Sequence, residues 1–434
     1  MKRWSSFFIT VLSILTAANS ALGQAASGKP LEWKLDTRSG LGMHTNGSND
    51  LATHRHQLEF EQVSRPSNQW IFKLGARARV EAAYAANPTR YGDLAQKEGQ
   101  ETELREVSGQ FRSGGFSAKI GSQTVVWGEA FGAFYADIVN PKDLREAAIG
   151  ELAEIRRPME MINLQYVDDM WSIQALYAPF FRSNWLPGYQ SDFFPSTVAG
   201  RLGTTNIQVD GNPNIEGAQG DAGAKLQARL GSADISIFHF SHIDRQPVFE
   251  ITNGTPISIK SRHSRTEADG LTLSWANDNT VVRAEVVRFA GRKMNVAPNL
   301  ADLMAGRLSR AEAAEQWIGV LGFDYPLGDG WNFGLQYSED VVSGIQPSFR
   351  MLREGLLGLQ FAKDFDSGRR FSLLGASAVN DGSFMIQSSL MIPRSRNLEM
   401  GVEGTFFGGA SDSTWGSRAG ASRVVFVIKG FVRD

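Results

Sequence analysis

Three observations predict an all-β chain that crosses a membrane as an antiparallel up-and-down barrel of about 18 strands, with 16 as the neighbouring even count. Runs of roughly ten residues alternate in hydrophobicity, tight Gly, Asp and Asn turns take turns with long irregular connections, and the amino terminus carries a secretory pattern. Composition agrees. The chain holds 45 Gly and 27 Phe, and 21% of it is charged. That is too polar for a bundle of membrane helices and normal for strands that are apolar on one face only.

The elements follow in chain order. Lys2 and Arg3 form a positive n-region, Phe7 to Ala17 an apolar h-region, and Ala21-Leu22-Gly23 a small-x-small cleavage site before Gln24. The expected domains are a signal peptide over 1–23 and an outer-membrane barrel over 24–434. The short stretch from Gln24 to Leu31 leaves no room for a soluble plug ahead of the first strand. The strand from Trp70 to Tyr84 shows the alternation best: Trp70, Phe72, Leu74, Ala76, Ala78, Val80 and Ala82 share one face, and Lys73, Arg77, Arg79 and Glu81 the other. One face suits lipid and the other water.

Turn chemistry sets the parity. Arg65–Asn68, Ser113–Gly115, Asp168-Asp169, Gly231–Asp234, Asn277–Asn279, Leu327–Gly330, Asp366–Gly368 and Pro393–Arg396 read as short periplasmic turns. The connections between them are mostly long: Ala85–Gln100, Gly128–Arg157, Arg182–Gln219, Arg245–Arg262, Gly291–Ala314, Val342–Arg350 and Gly408–Gly420. These are expected outside the cell, with His44–Asp50 and Asn380–Ser383 placed there by parity. Trp70, Trp171, Trp317 and Trp331 are candidates for the interfacial girdles. A soluble β-sandwich with buried Trp would leave the loop asymmetry and the signal as coincidences. The last strand, with Val424, Phe426, Ile428, Gly430 and Val432 on one face, is expected to close against the first near Leu31–Met43, because an open edge cannot be satisfied in lipid. Barrels of this kind usually end on an aromatic residue that the barrel-assembly machinery reads; here Phe431 is followed by Val432-Arg433-Asp434.

The least generic segment runs Gly121-Ser-Gln-Thr-Val-Val-Trp127-Gly-Glu-Ala130 and on through Asp137-Ile-Val-Asn140-Pro141-Lys142-Asp143. It resembles a family of large porin-like Gram-negative outer-membrane barrels, mostly uncharacterised, in which a strand ending V-x-W-G precedes a D-x-x-N-P-x-D segment. The strand layout is more loosely similar to polysaccharide-exporting barrels typified by the alginate exporter. The resemblance implies a monomeric barrel that moves a solute across the outer membrane.

The same residues have a physical reading. Asn140 suits a helix cap, Pro141 the first helical position, and Asp143 the first turn, predicting a helix over about Pro141–Ile155. Trp127, Glu129, Asp137, Asn140, Pro141, Asp143, Arg145, Glu146, Arg156 and Arg157 are then the candidate residues of a loop folded into the lumen to narrow it; a helix resting on the outer rim is the alternative. By parity the wall carries Lys73, Arg77, Arg79, Glu81, Lys119, Lys225, Arg229, Arg283 and Glu285. The basic cluster of the third strand could attract anions. Cross-strand Arg–Glu pairing, routine in barrels, is the structural reading. A capping box at Ser309-Arg-Ala-Glu312 predicts a short helix before Gln316. Trp185, Tyr189, Phe193 and Phe194 either cap the pore, touch a sugar or simply pack their loop.

Other chemistry is thin. The chain has no Cys, and its net charge of −2 comes from 44 basic and 46 acidic residues interspersed along it, which gives no footprint for nucleic acid. His54 with His56, and His239 with His242, lack the third ligand of a metal site, and no nucleophile motif or phosphate loop stands out. No cofactor, metal or enzymatic activity is expected. The sequence points to a channel passing small-molecule or oligosaccharide solutes across outer-membrane lipid, with a noncatalytic surface barrel whose loops bind a partner as the alternative.

Overall fold

The computed structural model describes residues 31–45, 50–128, 130, 135–146, 152–194, 207–216 and 220–433. Residues 1–23, Gln24 and Glu129 lie outside the described residues. The strands are β1 (Glu32–His44), β2 (Leu51–Ser64), β3 (Trp70–Glu81), β4 (Gln100–Ser113), β5 (Phe116–Gln123), β6 (Met159–Val167), β7 (Trp171–Ala178), β8 (Ile207–Ile215), β9 (Asp221–Leu230), β10 (Ala233–Ile243), β11 (Val248–Thr252), β12 (Ile257–His263), β13 (Arg265–Asn277), β14 (Thr280–Val296), β15 (Arg310–Gly328), β16 (Trp331–Ser343), β17 (Arg353–Asp364), β18 (Arg370–Ala378), β19 (Phe384–Ser395), β20 (Leu398–Gly408) and β21 (Arg423–Arg433).

Eighteen of these form one antiparallel sheet, each strand pairing with its neighbour in the chain once β8, β11 and β12 are set aside. The sheet closes as expected: β1 pairs with β2 on one side and with β21 on the other, from Lys34 opposite Arg433 to His44 opposite Arg423. Closure removes the edge that lipid could not satisfy. Every turn expected to be short is short, and the long connections gather at the opposite end.

Side-chain alternation gives the barrel two unlike surfaces. Ile120, Ile237 and Leu321 are 59%, 53% and 59% exposed on the outer face, and Leu226, Leu271 and Phe426 stand beside them in the same apolar band. A water-soluble sandwich would not leave such a band uncovered. Trp70, Trp171 and Trp331 start strands next to short turns, and Trp317 lies toward the long connections on β15, so aromatic rings flank the band from both sides.

Two readings of the loops need correction. The stretches 182–219 and 245–262 are not irregular throughout: β8, β11 and β12 form a separate three-stranded sheet in which β12 lies between its partners. Ile251, Ile257 and Ile259 bury one face of it under Tyr189, Phe249 and Leu308. Short apolar runs in a loop carry too little periodicity to be distinguished from irregular chain. The helix expected after Ser309 is strand, since β15 begins at Arg310. Ser309 instead accepts from the Ile251 N–H at 2.8 Å and donates to the Phe249 carbonyl at 2.6 Å, which stitches β11 to β15. The capped helix of this connection is Leu300–Met304, where Asn299 and Asp302 form the reciprocal box.

Candidate pore-lining site

The connection between β5 and β6 brings the candidate residues together. Its two ends are held by Asn140, which is 1% exposed. The Asn140 Oδ1 accepts from the Val125 N–H at 2.7 Å, and Nδ2 donates to the carbonyls of Arg157 at 3.0 Å and Gln123 at 3.4 Å. Asn140 is therefore a clamp and not a helix cap. The expected helix over Pro141–Ile155 is corrected accordingly. Pro141 to Glu146 are not helical, 147–151 lie outside the described residues, and only Leu152–Ile155 form a helical turn. Backbone pairing wins over the local Asn-Pro signal: Asp143 donates to Ile155 at 2.7 Å, Arg157 to Pro141 at 2.8 Å, and Trp185 to Lys142 at 2.9 Å.

From this clamp the loop packs against inward-facing side chains from β21 round to β16. Trp127 is fully buried, donates through Nε1 to Gln174 of β7 at 2.7 Å, and lies 5.2 Å and 5.5 Å, ring to ring, from Phe238 and Phe240 of β10. Phe238 has room because β13 supplies Gly270 beneath it: a Cβ there would sit 2.0 Å from the ring. Val125, Ile138 and Val139 join Trp127 over Val287 and Phe289 of β14 and Ile318 of β15. These inward residues are apolar where a bare aqueous pore would be polar, and the loop is what covers them. A buried indole of this size contributes on the order of 4 kcal/mol.

The charged candidates hold the loop from the other side. Arg77 pairs with Glu59 at 3.0 Å and donates to the Glu154 carbonyl at 3.0 Å. Arg79 reaches Glu101 at 2.7 Å and Asp143 at 3.5 Å, and Arg145 meets the same Glu101 at 2.7 Å and Asp143 at 2.5 Å. Glu146 sits between Arg55, which it contacts closely, and Arg423 at 2.5 Å. Asp137 is 1% exposed and pairs with Arg156 at 2.8 Å and Lys142 at 3.9 Å. Arg157 pairs with Glu103 at 3.4 Å and lies 3.4 Å from the centre of the Trp185 ring, which Arg145 also faces at 4.3 Å. In β4 a bulge at Arg105 turns both Arg105 and Glu106 inward, so Arg105 donates to the Arg156 carbonyl at 2.7 Å while Glu106 takes Lys119 at 2.6 Å.

The remaining wall residues divide. Glu81 is buried and accepts from Thr53 at 2.6 Å and the His54 N–H at 2.7 Å, with Arg55 at 3.2 Å. Glu285 accepts from the Ala130 and Ala136 N–H groups at 2.8 Å and 3.2 Å, so it binds the loop's backbone. Lys225 donates to the Trp127 carbonyl at 3.2 Å. Arg229 pairs with Asp234 at 3.3 Å near a short turn, Arg283 pairs with Asp324, and Lys73 stands opposite Val63 and Ser108 on the inner face. The basic cluster of β3 is thus matched by Glu59, Glu101 and Asp143, as cross-strand pairing in barrels would have it.

Electrostatics follow the pairing. Burial works against charge on Glu146, yet Arg423 and Arg55 hold its carboxyl well below the ordinary value. Burial raises Asp143, and the hydrogen bond and charge of Arg145 more than offset it. Lys142 is lowered by burial, which Asp137 only partly opposes.

Sequence reading missed Arg55, Glu101, Glu103 and Arg105, and it named Trp185 without its arginine partners. Period-two parity could have placed Arg55 and Glu103 on the inner face; the bulge at Arg105 breaks that parity, and nothing local pairs a loop residue with a wall residue. The aromatic loop resolves to packing: Phe193 sits with Met385 and Phe407, and Tyr189 on the small sheet. His239 faces outward and bonds Asp269 at 2.8 Å, and among the described residues no group of three or more His, Cys, Asp and Glu is arranged to hold a metal.

A closed eighteen-stranded antiparallel barrel with an apolar outer band is the fold of porin-like outer-membrane proteins of Gram-negative bacteria. Residues 13–380 match the family described as protein of unknown function (DUF1302), and the chain belongs to it. No curated protein matches the chain. Among solved structures it is similar to Pseudomonas aeruginosa OccK9 (OpdG), at 10% identity over 93% of this chain and 98% of that one, with a TM-score of 0.51. Acinetobacter baumannii OccAB3 is similar at 10% identity over 93% and 99% of the two chains, with a TM-score of 0.48. Pseudomonas aeruginosa OccD3 (OpdP) follows at 9% identity over 93% and 92%, with a TM-score of 0.47.

Proposed function

We propose that the protein is a monomeric, non-enzymatic channel of the outer membrane that passes small solutes, and that the connection between β5 and β6 sets the cross-section of its pore. The observation that carries this reading is the double attachment of the loop, to the charged side chains of β1–β4 and β21 and to the apolar inner faces of β10, β14 and β15. A segment tied to opposite walls divides the space between them. In this reading Lys73, Arg77, Arg79, Glu81, Lys119, Lys225, Arg229, Arg283 and Glu285 line or brace the path, and four of them, Arg77, Arg79, Lys225 and Glu285, fix the loop.

Excising Gly128 to Ile155 and joining the ends with a short Gly-Ser link tests it in planar bilayers. Because Asn140 bridges Gln123, Val125 and Arg157, the ends are close enough to be joined. Single-channel conductance is expected to rise severalfold, and an unchanged conductance in a folded barrel removes the loop from the path. Export would follow the leader: the protein purified from outer membranes is expected to begin at Gln24, and intact mass spectrometry that finds Met1 to Gly23 retained overturns that cleavage.

The small sheet of β8, β11 and β12 favours a second reading, a surface barrel whose external loops bind a partner. Wild-type protein without a conductance step would support it over the channel.

A further inference from the structure

We infer that the lumen beside the start of this loop holds a subsite for a small, uncharged, polyhydroxylated solute such as a monosaccharide or polyol. The inference rests on the channel reading and names the class of solute. A cavity of about 270 Å³ lies between the inner faces of β6, β7 and β9 and the segment Thr124 to Val126. Register sets its lining: Gln165 stands opposite Gln174, Gln174 opposite Lys225, and Ser172 opposite Gln227. Their chain neighbours Leu164, Ile173 and Leu226 are exposed on the outer band, which turns this polar set inward.

Two of the amides are committed to structure. Gln174 accepts from Trp127 and donates to Asn163 at 3.0 Å, which fixes its rotamer and the position of the loop above it. Gln165, Ser172 and Gln227 make no side-chain hydrogen bond within the described residues, so the cavity presents two carboxamides and a hydroxyl to whatever occupies it. On β9 the neighbouring cations are engaged: Arg229 pairs with Asp234 at 3.3 Å, and the Lys225 ammonium donates to the Trp127 carbonyl at 3.2 Å.

Donor and acceptor arithmetic then selects the solute. A carboxamide offers an acceptor and two donors, and a sugar hydroxyl offers a donor and accepts, so each group can satisfy the other both ways. A carboxylate without hydroxyls has no proton to give the glutamine oxygens, and a cation has nothing to accept from the glutamine N–H groups, so neither meets both halves of the two free carboxamides. The volume falls just under the range of roughly 300 to 1,000 Å³ typical of drug-sized ligands, which suits one sugar ring and not an oligomer.

Planar-bilayer recording of the full protein in KCl, with glucose or propionate added to one side, tests this. Glucose is expected to reduce the conductance saturably and propionate, a carboxylate without hydroxyls, to leave it unchanged at equal concentration. The double variant Gln165→Leu/Gln227→Leu should keep the glucose-free conductance while its half-saturating glucose concentration rises about tenfold, the loss expected for two neutral hydrogen bonds. Heat-modifiable gel mobility shows that the variant is folded. A conducting wild type that ignores glucose, a stronger response to propionate, or a variant that titrates like wild type overturns the subsite. If the wild type conducts nothing, the channel reading fails by itself, and calorimetric titration of the solubilised protein with glucose decides the subsite separately: heat lost in the double variant upholds it, and no heat in the wild type removes it.

Discussion

Cells producing Leu335→Arg are expected to accumulate little folded barrel in the outer membrane, whereas Gln360→Arg should be made at the wild-type level. Leu335 lies midway along β16, 37% exposed on the outer face, with Phe323 and Leu359 as its register partners. It belongs to the band that lipid covers. An Arg at the bilayer midplane of a barrel costs about 2 to 4 kcal/mol, and the penalty arises during assembly, when the hairpin must enter lipid. Gln336, the next residue, points inward but is only 3% exposed, so replacing it would disturb a packed position and not a watery one. Gln360 makes the sharper control because it borders an open hollow near the short turns, where a charge keeps its water. Heat-modifiable mobility of outer-membrane fractions reads the folded yield. Equal yields would mean that the faces of β16 and β17 have been assigned wrongly.

The faces could be read from sequence because period two is enforced wherever one side meets lipid. β3 is the clearest case, with Trp70, Phe72 and Leu74 outward and Lys73, Arg77 and Arg79 inward, and the turns between short-linked strands carry their own chemistry. The rule weakens where the inside is not water. In β10, Phe238 and Phe240 point inward and His239 outward, the reverse of what a polar lumen would require, because the loop brings Trp127 to cover the two rings. A strand pattern records its own environment, and here that environment is supplied by residues more than a hundred positions away.

The candidate site was legible in its membership and not in its wiring. Asn140, Asp143, Arg145 and Glu146 stood out by type and spacing, yet their roles depend on Val125, Arg79, Glu101 and Arg55, which the fold alone brings near. The helix expected at Pro141 failed for the same reason, since a capping signal is worth about 1 kcal/mol and several backbone bonds to Ile155 and Trp185 outweigh it. The small sheet of β8, β11 and β12 was invisible because β8 pairs in parallel with a strand two connections later.

Replacing Glu146 with Gln should convert a quiet pore into a noisy one of higher conductance, intermediate between wild type and the loop-excised form. Glu146 is the carboxylate shared by Arg55 and Arg423, and its side chain is 17% exposed. Removing it leaves Arg423 without its carboxylate and Arg55 with Glu81 alone, at a cost below the roughly 3 to 5 kcal/mol of a fully broken buried pair, and partial exposure to lumen water lowers it further. The barrel itself loses no strand pairing and should assemble normally, since Asn140 and the Trp127 cluster still hold the other parts of the loop. Acid gives an independent arm. The folded-state carboxyl is held well below its ordinary value of 4.5, so the stabilisation is complete above that value and is lost as pH falls through the depressed one. Wild-type conductance should therefore stay constant from neutral pH down to about 4.5 and change only in stronger acid, while Glu146→Gln, with no carboxyl to protonate, should show that step greatly reduced. A Glu146→Gln channel with wild-type conductance, noise and acid response would show that this carboxylate does not hold the loop.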